Sequence, residues 1–341
     1  MRVVDAILET RGFELAERTL KTLVRYGTAI NQSPAKLVLD PIYEAVAREL
    51  VKDVPLSPQL QAASFEENLF PAYLANSAKV RYDVHDWDFS MARPELLTLR
   101  QRAFVHSAAL GETSGFAVGA SFLSAFRSSP ELGSFFGIWF TEELNHYWGY
   151  HRYLEKMGEA WSPDRKADVT SVEFRPYSSD PLEVAAANMY QELVAYLIYR
   201  SLGRQAGDPF FARLIDRFAK DELRHYKFYQ SVVAREIQRQ PAFRAVVLKH
   251  FFKATTPVNQ VSGGPKATVE HLSRASFYFR RPEFEFLLRE ATHLFGKSFE
   301  TLFAAFYRRH LPPCELCGEE IFLCACERFE ALPSEHCRPR G

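Results

Sequence analysis

The chain has 341 residues, 47% of them hydrophobic and 25% charged, enough to bury a substantial core without covalent staples. Lys and Arg number 42 and so do Asp and Glu, so no overall field steers the protein toward nucleic acid or an anionic membrane. No apolar run reaches the roughly 18 residues of a membrane span. The acids Asp5, Glu9, Glu14 and Glu17 argue against a signal or transit peptide, so a cytoplasmic protein is expected.

Strand signals are scarce and helix punctuation is plentiful, which predicts an all-α fold. Residues 1–93 read as short helices, at 13–28, 41–53 and 58–76, packing on a bundle. Residues 94–240 carry four long helices. Pro94 opens the first, which runs to Arg127 and is closed by Ser128-Ser129-Pro130. The second runs from Glu131 to Met157 before Gly158, and Asp180-Pro181 caps a third that ends between Gly203 and Gly207. Asp208-Pro209 starts the fourth, which Pro241 stops after Gln240. All four far exceed the usual length of about 12 residues, and long helices joined by short turns predict an antiparallel bundle. Residues 161–179 are long enough to cross the bundle end, so a simple up-down order is not required.

Further helices are expected at 241–255, 267–279 and 283–309, within a region 241–311 that includes a basic segment. Between Arg239 and Arg281 eight Lys or Arg residues face one acid, Glu270. Residues 312–341 change composition and hold all five cysteines. Cys314-x-x-Cys317 followed by Cys324-x-Cys326 offers four thiolates for one structural zinc, and a cluster of free thiols is the alternative.

The most informative feature is an internal echo. The second long helix contains Glu142-Glu143-Leu144-Asn145-His146-Tyr147, and the fourth contains Asp221-Glu222-Leu223-Arg224-His225-Tyr226. Each supplies Glu-x-x-His, which puts a carboxylate and an imidazole side by side on one helix face. Glu112 on the first helix and Glu192 on the third lie in apolar surroundings, where an unpaired carboxylate is costly. Counted from the hairpin turns, Glu112 faces Glu143 and Glu192 faces Glu222 within about two helical turns. Four Glu and two His around two ions form a di-iron or di-manganese carboxylate site. A single Glu-x-x-His is common on any solvated helix face; two copies with matching partners are not.

The order Glu, Glu-x-x-His, Glu, Glu-x-x-His resembles that of the ferritin-like di-iron carboxylate proteins. The words Trp139-x-x-Glu142-Glu143-x-x-His146, Gln191-Glu192 and Asp221-Glu222-x-x-His225 are similar to those of the soluble acyl-carrier-protein desaturases. That resemblance covers residues 95–240. It implies a ferritin-like four-helix core with Glu112, Glu143, His146, Glu192, Glu222 and His225 as metal ligands, Glu143 and Glu222 bridging. It implies that Asp221 accepts a hydrogen bond from the far nitrogen of His146, and that a tryptophan, Trp87 here, stacks behind that histidine. It also implies two iron ions with manganese as the alternative, an acyl-carrier-protein substrate and a ferredoxin-type electron donor.

Two departures from related patterns stand out. The desaturases place a Thr three residues after the third-helix Glu, where this chain has Ala195; a water or another hydroxyl such as Thr113 would then assist, or the chemistry differs. The carboxylate N-oxygenases add a histidine where this chain has Phe218. Gly111, Gly115 and Gly119 around Glu112 fit either close helix packing or a channel for an acyl chain or dioxygen. The basic segment 239–281 suits an acidic acyl carrier protein, with a merely solvated face as the alternative and nucleic acid disfavoured by the balanced charge. The expected function is a dioxygen-dependent oxidoreductase that attacks an unactivated C–H bond, with a homodimer as an expected assembly. The alternatives are a di-iron oxygenase that hydroxylates or N-oxidises a small molecule, and a non-catalytic iron-handling protein.

Overall fold

The structure is a computed structural model that describes residues 47–48, 51, 56–62, 66–159, 178–253, 290 and 294. Among the described residues all regular structure is helical: α1 (Pro58–Ala62), α2 (Phe70–Val80), α3 (Leu99–Phe126), α4 (Pro130–Lys156), α5 (Pro181–Gln205), α6 (Pro209–Arg239) and α7 (Arg244–Lys253). Short 3-10 turns lie at Val84–Asp86, Phe89–Met91, Pro94–Leu96 and Pro241–Phe243. The helices expected at 13–28 and 267–279, nearly all of 283–309, and the cysteine tail fall outside the described residues.

Each long helix starts where a side chain satisfies its first free amides. Ser129 accepts from Leu132 N at 3.3 Å and opens α4; Asp180 accepts from Leu182 N at 2.9 Å and opens α5; Asp208 accepts from Phe210 N at 2.8 Å and opens α6. The start expected at Pro94 is corrected by the same physics. Pro94 opens only a 3-10 turn, and α3 begins at Leu99 because Thr98 and Gln101 form a reciprocal capping box. The single helix expected over 58–76 is two, α1 and α2, with non-helical residues 66–69 between them.

α3 and α4 form one antiparallel hairpin and α5 and α6 the other; α3 packs along α5 and α4 along α6. This is the ferritin-like four-helix bundle. α2 lies across α4 and α6, and α7 lies on α5. At one end, Gln101 Nε2 donates to Gln205 O at 2.9 Å and fixes α3 antiparallel to α5. Asp208 there also accepts Arg93 N at 3.0 Å and Tyr153 OH at 2.6 Å, joining the linker before α3 to α4 and α6. The core is rich in aromatic rings, with Phe135 stacked on Phe228 at 4.0 Å between α4 and α6. α4 leaves room for a ring of α6 at Gly149, where an added Cβ would lie 2.5 Å from the Phe218 ring. No described helix is long and apolar enough to cross a membrane.

Candidate metal centre

The four long helices bring all six predicted ligands to mid-bundle. Glu112, Glu143 and His146 form one group and Glu143, Glu192, Glu222 and His225 another, with the ligand atoms of each group within 4.8 Å of one another. Glu143 belongs to both. Its Oε2 lies 3.3 Å from His146 Nδ1 and its Oε1 lies 3.2 Å from His225 Nδ1. Glu222 spans the same gap, with Oε1 at 3.4 Å from His146 Nδ1 and Oε2 at 3.5 Å from His225 Nδ1. Glu192 Oε2 stands 3.5 Å from His225 Nδ1. Glu143 and Glu222 thus each face both histidines, while Glu112 belongs only to the group of His146 and Glu192 only to that of His225.

Four of these converging atoms, Glu143 Oε1, His146 Nδ1, Glu222 Oε2 and His225 Nδ1, are buried without a hydrogen-bond partner. Leaving buried polar groups unpaired is costly, so inward lone pairs on two imidazoles and two carboxylates fit a bound cation. Carboxylate oxygens with imidazole nitrogens suit iron or manganese better than thiophilic metals. The cluster is therefore able to bind metal.

A second ring of groups orients these ligands. His146 Nε2 lies 3.3 Å from Asp221 Oδ2, as the resemblance implies, and His225 Nε2 lies 2.8 Å from Glu142 Oε2. An acid partner on each Nε2 places the proton there and leaves Nδ1 free to face the cluster. The braces cross: the acid preceding each ligand Glu holds the histidine of the other helix. Arg224 Nη2 donates to both braces, to Glu142 Oε1 at 3.0 Å and to Asp221 Oδ1. From α2, Tyr73 OH and Ser77 Oγ donate to Glu142 at 2.8 and 2.5 Å. Trp139 Nε1 donates to Glu192 Oε1 at 2.9 Å, and Tyr199 OH donates to Glu112 Oε1 at 2.5 Å.

The electrostatics of the metal-free cluster follow from burial and crowding. Burial pushes the Glu112 carboxyl up to about 8, with the Glu143 charge adding to it, and burial likewise raises Glu192 well above the usual range. Burial also acts to raise Glu142, but hydrogen bonds from His225 and Ser77 and the charge of Arg224 outweigh it and hold that carboxyl below the usual range. Glu222 is lowered in the same way, burial being overcome by its closeness to the Glu192 carboxyl and to both imidazoles. Burial disfavours the charged forms of His146 and His225, yet the facing acids raise both well above the ordinary histidine value. Without an ion, protons neutralise the cluster; binding a cation releases them.

One expectation meets a different outcome. Trp87 does not stack behind His146: it packs 6.0 Å from Tyr82 and 5.9 Å from Phe210, while the ring against His146 is Phe218, at 4.4 Å. Gly149, three residues after His146, leaves the room that Phe218 fills. The Thr113 side chain and Cys314, Cys317, Cys324 and Cys326 lie outside the described residues. Of the basic segment, only its portion up to residue 253 is described; there Lys249 pairs with Glu183 at 2.5 Å, and buried Arg244 donates to Pro241 O and Val51 O. Around Glu112, Gly119 serves close packing, since an added Cβ would meet the Phe140 ring at 2.9 Å, whereas one at Gly115 would meet nothing within 4 Å. Sequence reasoning missed Glu142, Arg224, Tyr73, Ser77 and Tyr199. For Glu142 the signal was present, because the echo aligns it with Asp221.

A family model described as fatty acid desaturase matches residues 171–277, which agrees with the resemblance to the acyl-carrier-protein desaturases. Among solved structures, an R2-like ligand-binding oxidase variant with an anaerobically reconstituted Mn/Fe cofactor is 17% identical; the match covers 66% of this chain and 93% of the other, with a TM-score of 0.45. An R2-like ligand-binding oxidase with an aerobically reconstituted metal cofactor after photoconversion is 19% identical, covering 72% of this chain and 91% of the other, at a TM-score of 0.44. No curated protein matches.

Proposed function

We propose that the protein is a two-metal oxidoreductase that uses dioxygen to oxidise an unactivated C–H bond. The observation that carries this reading is the set of four buried, unpartnered atoms on Glu143, His146, Glu222 and His225, converging from two helices with a terminal carboxylate on either side. Iron at both positions is favoured, with manganese as the alternative for either; the Mn/Fe cofactors belong to the similar oxidases and are not transferred as such. Held by Glu112, Glu143, His146, Glu192, Glu222 and His225, two such ions would supply electrons and Lewis acidity for dioxygen chemistry.

The chain's own residues do the rest. Glu143 and Glu222 span the two positions, and Glu112 and Glu192 close the ends. Asp221 and Glu142 keep the histidine protons on Nε2, and Arg224 offsets the charge of both braces. Buried rings such as Phe218, Phe135 and Trp139 keep bulk water from the histidines. The substrate we favour is an acyl chain on an acidic carrier protein approaching the basic segment 239–281, with electrons from a ferredoxin-type donor in the cytoplasm. Ala195, which supplies no hydroxyl beside Glu192, keeps hydroxylation or N-oxidation of a small molecule as the second reading.

The test is anaerobic reconstitution with ferrous iron, elemental analysis, then dioxygen uptake. Two irons per chain are expected, and Glu143→Ala with Glu222→Ala should abolish both binding and substrate-dependent uptake. Full metal content in that double variant would refute the assignment. Ferric deposition independent of any organic substrate would instead identify an iron-handling protein.

A further inference from the structure

One polar feature near the cluster has no role among its ligands or braces. α5 places Asn188 four residues before Glu192, on the same helix face, with Gln191 alongside. Asn188 is only 2% exposed, and its Nδ2 donates to nothing. Gln191 Oε1 is buried as well and accepts nothing. Two unpaired, complementary amide groups three residues apart are rare in a protein interior and destabilise it.

Their position gives them a use. The antiparallel register set by Gln101 with Gln205 and by Glu112 with Tyr199 puts Gly115 of α3 level with Ala195 of α5. Gly115, Ala195, Gln191, Glu112 and Glu143 are all partly exposed, whereas Glu192, Glu222 and both histidines are buried. A Cβ at Gly115 would meet nothing within 4 Å. The more exposed flank of the cluster therefore carries Gly115 and Ala195; on α5 Asn188 lies one helical turn from Glu192 and Gln191 directly beside it, both on the same flank of the helix as Ala195.

We propose that Asn188 and Gln191 bind a neutral polar group of the substrate, one that accepts a hydrogen bond from Asn188 Nδ2 and donates one to Gln191 Oε1. An amide or an alcohol meets both demands. A bare run of methylenes would leave both unpaired, and a charged group would stand buried without a counter-ion. The substrate class is therefore a chain bearing an amide or hydroxyl close to the carbon that is oxidised. This rests on the reading of the cluster as an oxidising metal centre.

The experiment compares wild type, Asn188→Leu and Asn188→Ala, each loaded anaerobically with ferrous iron. Octanamide affinity is measured by calorimetry, and metal content and melting temperature on the same samples. Octanamide should bind wild type, and either variant should weaken it at least about tenfold, the loss of one hydrogen bond. Without octanamide, Asn188→Leu should melt about 2 °C or more above wild type, because it removes an unpaired amide. Unchanged octanamide affinity in the variants, no binding to wild type at millimolar concentration, or a lower melting temperature for Asn188→Leu would each overturn the proposal. The last would show a structural role, such as holding a water. Loss of only this inference leaves metal content at two per chain; absence of metal from wild type removes the parent reading instead.

Discussion

Replacing Glu142 by Gln tests whether the crossed braces control the metal positions. The Glu142 carboxylate is 4% exposed and accepts from Tyr73, Ser77, Arg224 and His225 at 2.5 to 3.0 Å. A glutamine keeps the shape but turns one acceptor oxygen into an NH2 that faces donors. The NH2 disrupts either the bonds from Ser77 and Arg224 on Oε1 or those from Tyr73 and His225 on Oε2, for an expected cost of about 1–3 kcal/mol. His225 loses the acid that fixes its Nε2 proton, so metal affinity at its position should fall about 10–100-fold while the His146 position keeps its Asp221 brace. Urea unfolding gives the stability change, and a two-step cobalt titration resolves the positions. Two metal-binding steps with wild-type affinities in a Glu142→Gln protein would refute the idea that this acid orients His225. The acid limb adds a check. Glu142 is held below its ordinary pKa, so its stabilisation is complete above about pH 4.5 and is lost on acidification, and the variant should be less acid-sensitive.

Gly149→Ala would press a Cβ into the Phe218 ring, which is fully buried, and should cost about 1–3 kcal/mol while weakening metal binding at His146; a wild-type melting temperature would refute the close approach of the Phe218 ring to α4. The metal-free protein should lose stability as the pH rises from about 5 to 8. Glu112 there, raised from 4.5 to about 8, holds a proton that the unfolded chain has released, and Glu192, His146 and His225 act in the same direction. Metal-loaded protein should show a smaller decline, since the ion replaces those protons; melting curves across that range, flat for the metal-free form, would contradict the cluster's electrostatics.

The convergence of the six Glu and His residues was legible in the sequence because helical spacing alone sets Glu beside His, and counting from the turns sets the heights. The supporting ring was legible only in part. Asp221 and Glu142 are equivalent in the echo, so either can be read from the other. Tyr73 and Ser77 come from a separate helix more than sixty residues away, and no local pattern predicts where such a helix lands. Trp87 illustrates the reverse error: a ring type placed by resemblance, where Phe218 occupies the space that Gly149 leaves. The start of α3 was misplaced because Pro94 is a good opener for either a 3-10 turn or an α-helix, and the capping box at Thr98 decides between them. That Asn188 lacks a partner depends on every neighbour at once, which no sequence pattern records.

Asp208 couples local opening at one end of the bundle across distant parts of the chain. It is fully buried, and its carboxylate receives the amide of Phe210 within its own helix, the amide of Arg93 and the hydroxyl of Tyr153. The first turn of α6 therefore cannot open without also freeing the linker before α3 and the last turns of α4. Local fluctuation at that end becomes a shared event across three chain segments, so the amides of Phe210 and Arg93 belong to one cooperative unit of hydrogen exchange. The two hairpins that hold the cluster are thereby latched at one end, so that the heights of the converging carboxylates and imidazoles on α4 and α6 are tied to one buried carboxylate.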